Sequence, residues 1–195
     1  MFPEVVSTVA GEPSKLPRSD VPRYYRVACR FHEDEKVRRW PDGIKLLALY
    51  LLTTKHRTLE GLFVIHPDYI AADLGWAKTR VLNGLKKLEE EGFLSFDRAT
   101  FVLLIKNALR YQQPDSPNVL KGVISRLRNL PDSPELLREF IALASKHCMR
   151  SGLTATSHRF PEELKTAFGL DDMSQLLSQT KDLSRGGSNR YLNEV

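Results

Sequence analysis

Features typical of several protein classes are missing or scarce in this chain of 195 residues. Its two cysteines, Cys29 and Cys148, are too few for a disulfide framework or a zinc cluster, and they favour a reducing cytoplasm. The longest uninterrupted apolar run, residues 46–52, is far shorter than the roughly 20 residues that cross a bilayer. No basic stretch followed by an apolar segment opens the chain, so we expect no secretory leader and no membrane association.

Motifs of catalysis and cofactor binding are also scarce. No glycine-rich loop ends in Gly-Lys-Ser/Thr, so a phosphate cradle of that type is not predicted. Residues 32–35 (His-Glu-Asp-Glu) have no further ligand group at a recognisable spacing, and a charged helix start explains them better. The pair His147-Cys148 is isolated. We therefore expect a protein that is not an enzyme, with no catalytic residues, no metal ion and no cofactor.

Positive charge, in contrast, is concentrated in one part of the sequence. The chain has 29 basic and 24 acidic residues, a net charge of +5. Between residues 98 and 130 a single acid, Asp115, accompanies six basic residues, which are Arg98, Lys106, Arg110, Lys121, Arg126 and Arg128. Such a concentration is typical of chains that bind a polyanion, although a solvated helix face explains charge alone equally well.

The first half of the chain divides into an arm and a folded section. Residues 1–22 contain four prolines and no helical or strand period, which predicts a flexible arm. Residues 23–112 then contain an apolar helix after Pro41, a strand at 61–65, two helices and a hairpin at 93–105.

The second half adds helices without a recognisable motif. Residues 113–150 are predicted to be a helical extension with helices at 118–130 and 134–147. Residues 151–195 are predicted to be a partly ordered tail with one short helix at 161–168.

The order helix, strand, helix, tight turn, helix, hairpin is that of a winged helix-turn-helix. The predicted fold class is accordingly mainly α with a small β-hairpin, a winged helix-turn-helix followed by additional C-terminal helices. Ala71 is the small residue needed where the two central helices cross, and Gly75 suits the left-handed position of the turn. The apolar residues that flank the turn are Ile70, Leu74, Trp76 and Val81. Gly84 departs from the pattern, which usually has an aliphatic residue there.

The second helix of the motif, from about Ala77, is predicted to enter the major groove of DNA. Its outward polar residues are Lys78, Thr79, Arg80, Asn83, Lys86 and Lys87. Together with Arg98 at the hairpin tip, they are the predicted DNA-binding residues, because cations and amides bond phosphates and base edges. An ordinary solvated helix face is the alternative for these residues.

Two neighbouring positions add hypotheses. Gly84 either lets the backbone approach DNA closely or is a tolerated defect that costs about 1 kcal/mol relative to alanine. Ala77 stands where a capping side chain is usual, so a DNA phosphate is a candidate for that role.

Segments between residues 24 and 144 carry a pattern of core and turn residues found in a known family. They are residues 25–27, 31–37, 40, 45–53, 56–57, 60–63, 73–76, 88–94, 107–112 and 117–122. In this pattern the chain resembles phage-type replication initiation proteins, the replisome-organiser group, similar to the N-terminal winged-helix domain of DnaD-like proteins. The resemblance implies binding at a replication origin, self-association, and recruitment of a helicase or helicase loader. Members often have an acidic residue after the tryptophan of the turn, where this chain has Ala77.

These observations lead to one main expectation and two alternatives. We expect a cytoplasmic DNA-binding replication initiation protein of phage or prophage origin, which binds double-stranded DNA as a homo-oligomer. The same residues also suit a winged-helix transcriptional regulator, or a winged-helix module that binds only protein.

Overall fold

The computed structural model describes residues 27–169, which contain eight α-helices and a small three-stranded sheet. After a short 3-10 helix, Cys29–Glu33, the elements in chain order are α1 (Glu35–Arg39), α2 (Asp42–Thr53), β1 (Leu62–Val64), α3 (Pro67–Leu74), α4 (Lys78–Glu90), β2 (Leu94–Phe96), β3 (Val102–Ile105), α5 (Ala108–Tyr111), α6 (Pro117–Arg128), α7 (Pro134–Cys148) and α8 (Ala155–Phe168). The expectation of a mainly helical chain with a small β-structure is confirmed. The predicted arm and the last part of the predicted tail lie outside the described residues.

The sheet contains one strand more than the predicted hairpin. Its strands are antiparallel in the order β1-β3-β2, so β3 is the central strand. Leu104 of β3 lies opposite Leu62 of β1 on one side and opposite Ser95 of β2 on the other. The segment predicted as a separate strand at 61–65 is therefore an edge strand of the same sheet.

Side chains of β3 alternate between two apolar cores. Leu103 and Ile105 pack with α2, α3 and α4 on one face of the sheet. Val102 and Leu104 pack with α6, α7 and α8 on the other face. Because successive side chains of a strand point to opposite faces, a strand that is apolar throughout is buried from both sides. The sheet is thus a layer shared by two groups of helices.

Among residues 27–169, none of the helices combines the length and the apolar composition of a membrane-spanning segment.

An ion pair between a buried glutamate and a half-exposed arginine lies beside the sheet. Glu60, just before β1, is fully buried, and its carboxylate accepts two hydrogen bonds from Arg126 of α6 at 3.0 and 2.9 Å. A bidentate guanidinium matches both carboxylate oxygens, which offsets the desolvation of a buried charge. The pair therefore ties α6 to the start of the sheet.

The last helix is longer than predicted. The expected helix at 161–168 begins instead at Ala155, because the Thr154 side chain accepts a hydrogen bond from the Ser157 N–H at 3.2 Å and caps it there. Pro161, the predicted first residue of this helix, lies inside the helix and is buried. Phe160 and Leu164 are fully buried in the core with α6 and α7, which accounts for the longer helix. α6 also ends at Arg128, two residues before the predicted end.

Gly84 faces the interior and not the outside of α4. A Cβ added at this residue would lie 2.6 Å from Cδ2 of the fully buried Leu47 in α2. The hypothesis that Gly84 brings the backbone close to DNA is therefore wrong, because the side of the helix that carries it is covered by α2. Glycine is needed here for the close crossing of α2 and α4.

Filling this crossing should destabilise the protein. We expect Gly84→Leu to lower the free energy of unfolding by about 1–3 kcal/mol, because the added side chain overpacks the contact with Leu47. Asn83→Leu is the matched control, since it adds the same side chain one residue earlier at an exposed position. Urea unfolding of both variants measures the difference, and an equal effect of the two substitutions would contradict the close crossing.

Candidate nucleic-acid interface

The turn between α3 and α4 has the geometry that the sequence predicted. Gly75 adopts the left-handed conformation with φ of 62°. The Trp76 N–H donates to the Ala71 carbonyl at 2.9 Å, and the Gly75 N–H donates to the Ala72 carbonyl at 3.3 Å. This double hydrogen bond ends a helix and redirects the chain within two residues. α4 therefore starts at a defined angle to α3.

One side of α4 is buried and the opposite side is exposed. The buried side chains of α4 are those of Val81, Leu85 and Leu88. Opposite them is a stripe at spacings of four, three and four residues, which consists of Thr79, Asn83, Lys86 and Glu90, all exposed. Three of these residues were predicted as DNA contacts. Glu90 was not, and it places one negative charge at the C-terminal end of the stripe.

Arg80 lies at the edge of this exposed side and contacts two neighbours. Its guanidinium carbon lies 4.0 Å from the centroid of the Trp76 ring, a cation–π distance. A Cβ added at Gly43, near the start of α2, would lie 3.1 Å from Nη2 of Arg80. The side chain is thus exposed but held in place, and the lack of a side chain at Gly43 leaves room for it.

Two further predicted cations are engaged in surface ion pairs. Lys78 Nζ lies 2.8 Å from Asp68 Oδ1 of α3, and the hydrogen bond to Lys78 lowers the pKa of Asp68. Lys87 Nζ lies 2.9 Å from Glu91 Oε1, and the hydrogen bond to Glu91 raises the pKa of Lys87. Exposed ion pairs of this kind contribute little to the free energy of folding, so the lysine can readily exchange its carboxylate partner for another anion. Lys86, in contrast, forms no ion pair within residues 27–169.

The N-terminus of α4 has no side-chain cap. Ala77 occupies the capping position in an extended conformation, and no side chain accepts a hydrogen bond from the first turn. The first N–H groups of a helix carry a partial positive charge and can bond an anion. The sequence-based expectation of an uncapped start is confirmed.

The tip of the hairpin is held against the second group of helices. The Asp97 carboxylate accepts hydrogen bonds from Thr100 Oγ1 at 2.7 Å and from Ser133 Oγ at 2.8 Å. Ser133 is the residue just before α7. With the Ala99 N–H these donors lower the pKa of Asp97 to about 2. Asp97 therefore orders the tip.

Arg98 is exposed at this tip but has acidic neighbours. It lines a groove together with Glu89 of α4 and with Glu135 and Glu139 of α7. This position differs from that of the cations on α4, whose exposed side lies opposite the sheet.

α1 contributes cations that the sequence analysis did not include. Lys36 and Arg39 line one groove with Lys87 at the end of α4, and the acids Glu35 and Glu91 line it as well. Arg39 forms an ion pair with Glu35. The signal in the sequence was the cluster of basic residues just before Trp40, but their shared groove with the end of α4 follows only from the fold. The candidate surface therefore extends from the start of α4 to α1.

Only some of the basic residues between 98 and 130 are available to bind a partner. Lys106 pairs with Glu139 of α7 at 3.0 Å, and Arg126 pairs with the buried Glu60. Two of its six cations thus serve contacts within the protein. Within residues 27–169 no group of three or more metal-binding side chains comes together.

Comparison of the chain with family models, with curated proteins and with solved structures gives no match.

The hydrogen bonds of Asp97 make stability depend on pH in the acid range. Its pKa of about 2 lies below the ordinary value of 3.8, so the unfolded state takes up the proton more readily. The stability that Asp97 contributes should be complete above about pH 4 and lost as the pH falls toward 2. Urea unfolding from pH 2 to 7 should show a shallower acid decline for Asp97→Asn than for the unmodified protein. Asp132→Asn, at an exposed neighbouring residue, should leave the decline unchanged.

Proposed function

We propose that the chain binds double-stranded DNA through the exposed side of α4 and acts in replication initiation of a phage or prophage. In this proposal α2 to β3 form a winged helix-turn-helix, and α4 is the helix that enters the major groove. The protein works in the cytoplasm by binding and assembly and catalyses no reaction. Self-association and recruitment of a helicase or its loader belong to the proposal through the family resemblance.

The observation that carries the proposal is that one side of α4 is buried while the opposite, polar side is exposed to solvent. Its buried side is locked between α2 and the sheet, and its exposed side carries Thr79, Arg80, Asn83 and Lys86. Arginine, lysine and asparagine are the residue types that read guanine and adenine edges. A start without a side-chain cap supports the same orientation, because a phosphate can accept from its N–H groups.

The two alternatives from the sequence differ in their response to DNA. A transcriptional regulator with this fold would bind DNA equally well but would change its affinity with a small effector. A module that binds only protein would ignore DNA even at low salt. Binding assays on duplex DNA at two salt concentrations separate the protein-binding module from the other two. A change of affinity on addition of a small effector would indicate the regulator, and co-purification with a helicase or its loader would indicate the initiator.

Two substitutions on α4 test the proposed contact. We expect Arg80→Ala and Asn83→Ala each to cost about 1–3 kcal/mol of binding free energy on the preferred site if they read bases. Loss of the stacking on Trp76 should lower the stability of Arg80→Ala by only about 0.5–1 kcal/mol. Fluorescence anisotropy with a labelled duplex gives the affinities.

Two control variants make this result specific. Arg138→Ala removes one exposed cation on α7 and should leave the affinity almost unchanged, whereas Glu90→Gln removes the acid of the exposed stripe and should strengthen binding. The logarithm of the affinity should fall linearly with the logarithm of the salt concentration. Affinity that is independent of salt, or equal losses for Arg80→Ala and Arg138→Ala, would rule out this interface.

The uncapped start of α4 allows a further test. Ala77→Ser should stabilise the fold by about 1 kcal/mol, because the hydroxyl accepts a hydrogen bond from the first turn. If a phosphate has this role in the complex, the substitution should leave DNA binding equal or weaker. Thermal unfolding and anisotropy on the same samples measure both effects, and tighter binding without a gain in stability contradicts the capping role.

A further inference from the structure

A second basic surface lies where α5 packs against α7. α5, which contains Arg110, packs against α7. Lys146 belongs to the last turn of α7, and Arg150 follows its last residue, Cys148, by two positions. All three side chains are exposed. No acidic residue occurs from residue 140 to residue 161, and the single acid from 98 to 130 is Asp115. This surface therefore carries positive charge with few carboxylates in the neighbouring sequence.

The three cations act on one buried side chain, that of His147. Burial lowers the pKa of His147, and the positive charges of Lys146, Arg110 and Arg150 lower it further. The residue is only 7% exposed, and its Nε2 has no hydrogen-bond partner within the described residues. The three cations thus lie near enough to one buried side chain to act on it together, and a bound anion would reduce their mutual repulsion.

Exposed apolar groups lie within the same patch. Tyr111 follows Arg110 and is 55% exposed, and Met149 precedes Arg150 and is 64% exposed. The Arg110 guanidinium carbon lies 5.9 Å from the centroid of the Tyr111 ring. An exposed aromatic ring beside arginine is the arrangement on which unpaired bases stack, while cations track the backbone phosphates.

We propose that Arg110, Tyr111, Lys146 and Arg150 form a second nucleic-acid surface, which binds single-stranded DNA. The surface belongs to α5, α7 and the residues just after α7, and it uses none of the residues of α4 proposed to contact duplex DNA. Tyr111 also lines a cavity with Lys36 and Glu91, so the two surfaces adjoin there. Tyr111 stacks on a base, and the three cations bond phosphates. The inference does not depend on the function proposed for α4.

The experiment measures binding of the full-length protein to a labelled oligothymidylate of 12 nucleotides. In Lys146→Ala/Arg150→Ala we expect an affinity loss on the order of tenfold, and a slope of log affinity against log salt that is shallower by about 1.4, about 0.7 for each lost phosphate contact. Tyr111→Ala should lose about fivefold or more through stacking, and Tyr111→Phe, which keeps the ring, should retain the affinity.

The matched control is Arg128→Ala/Arg138→Ala, which removes two exposed cations toward the other end of α7. This variant should bind oligothymidylate like the unmodified protein, and thermal unfolding confirms that each variant is folded. Arg80→Ala should weaken duplex binding and leave oligothymidylate binding intact, so failure of one proposal is distinguishable from failure of the other.

Three results would overturn the inference. They are equal losses in the two double variants, full affinity in Tyr111→Ala, and competition by polyglutamate as effective as by unlabelled oligothymidylate. The last result would mean that the patch binds acidic protein segments.

Discussion

β3 is the strand on which the arrangement of the whole molecule depends. Its neighbours on both sides pair with it, and each of its four residues is at most 2% exposed. A strand that is apolar on both faces needs a cover on each face, because exposed valine, leucine and isoleucine side chains would cost the free energy of their hydration. The two groups of helices supply these covers. Neither group can leave without exposing one face of the sheet.

The exposed side of α4 follows from the same constraint. Leu85 and Leu88 belong to the core that β3 shares, and Gly84 lets α2 lie close against the helix. Once these contacts are made, the orientation of α4 about its own axis has no remaining freedom, and Thr79, Asn83 and Lys86 face outward. The polar side is thus determined by apolar packing on the opposite side. Binding through such a helix requires little reordering of its backbone, which favours affinity.

Local sequence patterns predicted the elements well and their long-range contacts poorly. The turn at Gly75 and the start of α7 at Pro134 were predictable, because residue type and local periodicity determine them. The pairing of β1 with β3, the ion pair of Glu60 with Arg126 and the contact of Gly84 with Leu47 were not, since each joins residues far apart in the chain. A lone glycine in a helix looks the same whether it faces solvent or another helix. Thr154 is a residue type that commonly caps a helix, but Pro161 was a stronger local signal for a helix start.

The central position of β3 also governs the order in which the nascent chain can fold on the ribosome. β1 leaves the ribosome early, yet the strand that pairs with it among residues 27–169 begins at Val102, after two helices and another strand have been synthesised. Until then α2, α3 and α4 can gather around their apolar side chains without the sheet. Closing β1 onto β3 is a non-local step, which is slow compared with helix formation. Once α6 to α8 have been synthesised, they cover the other face of the sheet, which contains Val102 and Leu104. A pause in translation between Ile105 and Pro117 would therefore leave these apolar side chains exposed to chaperones.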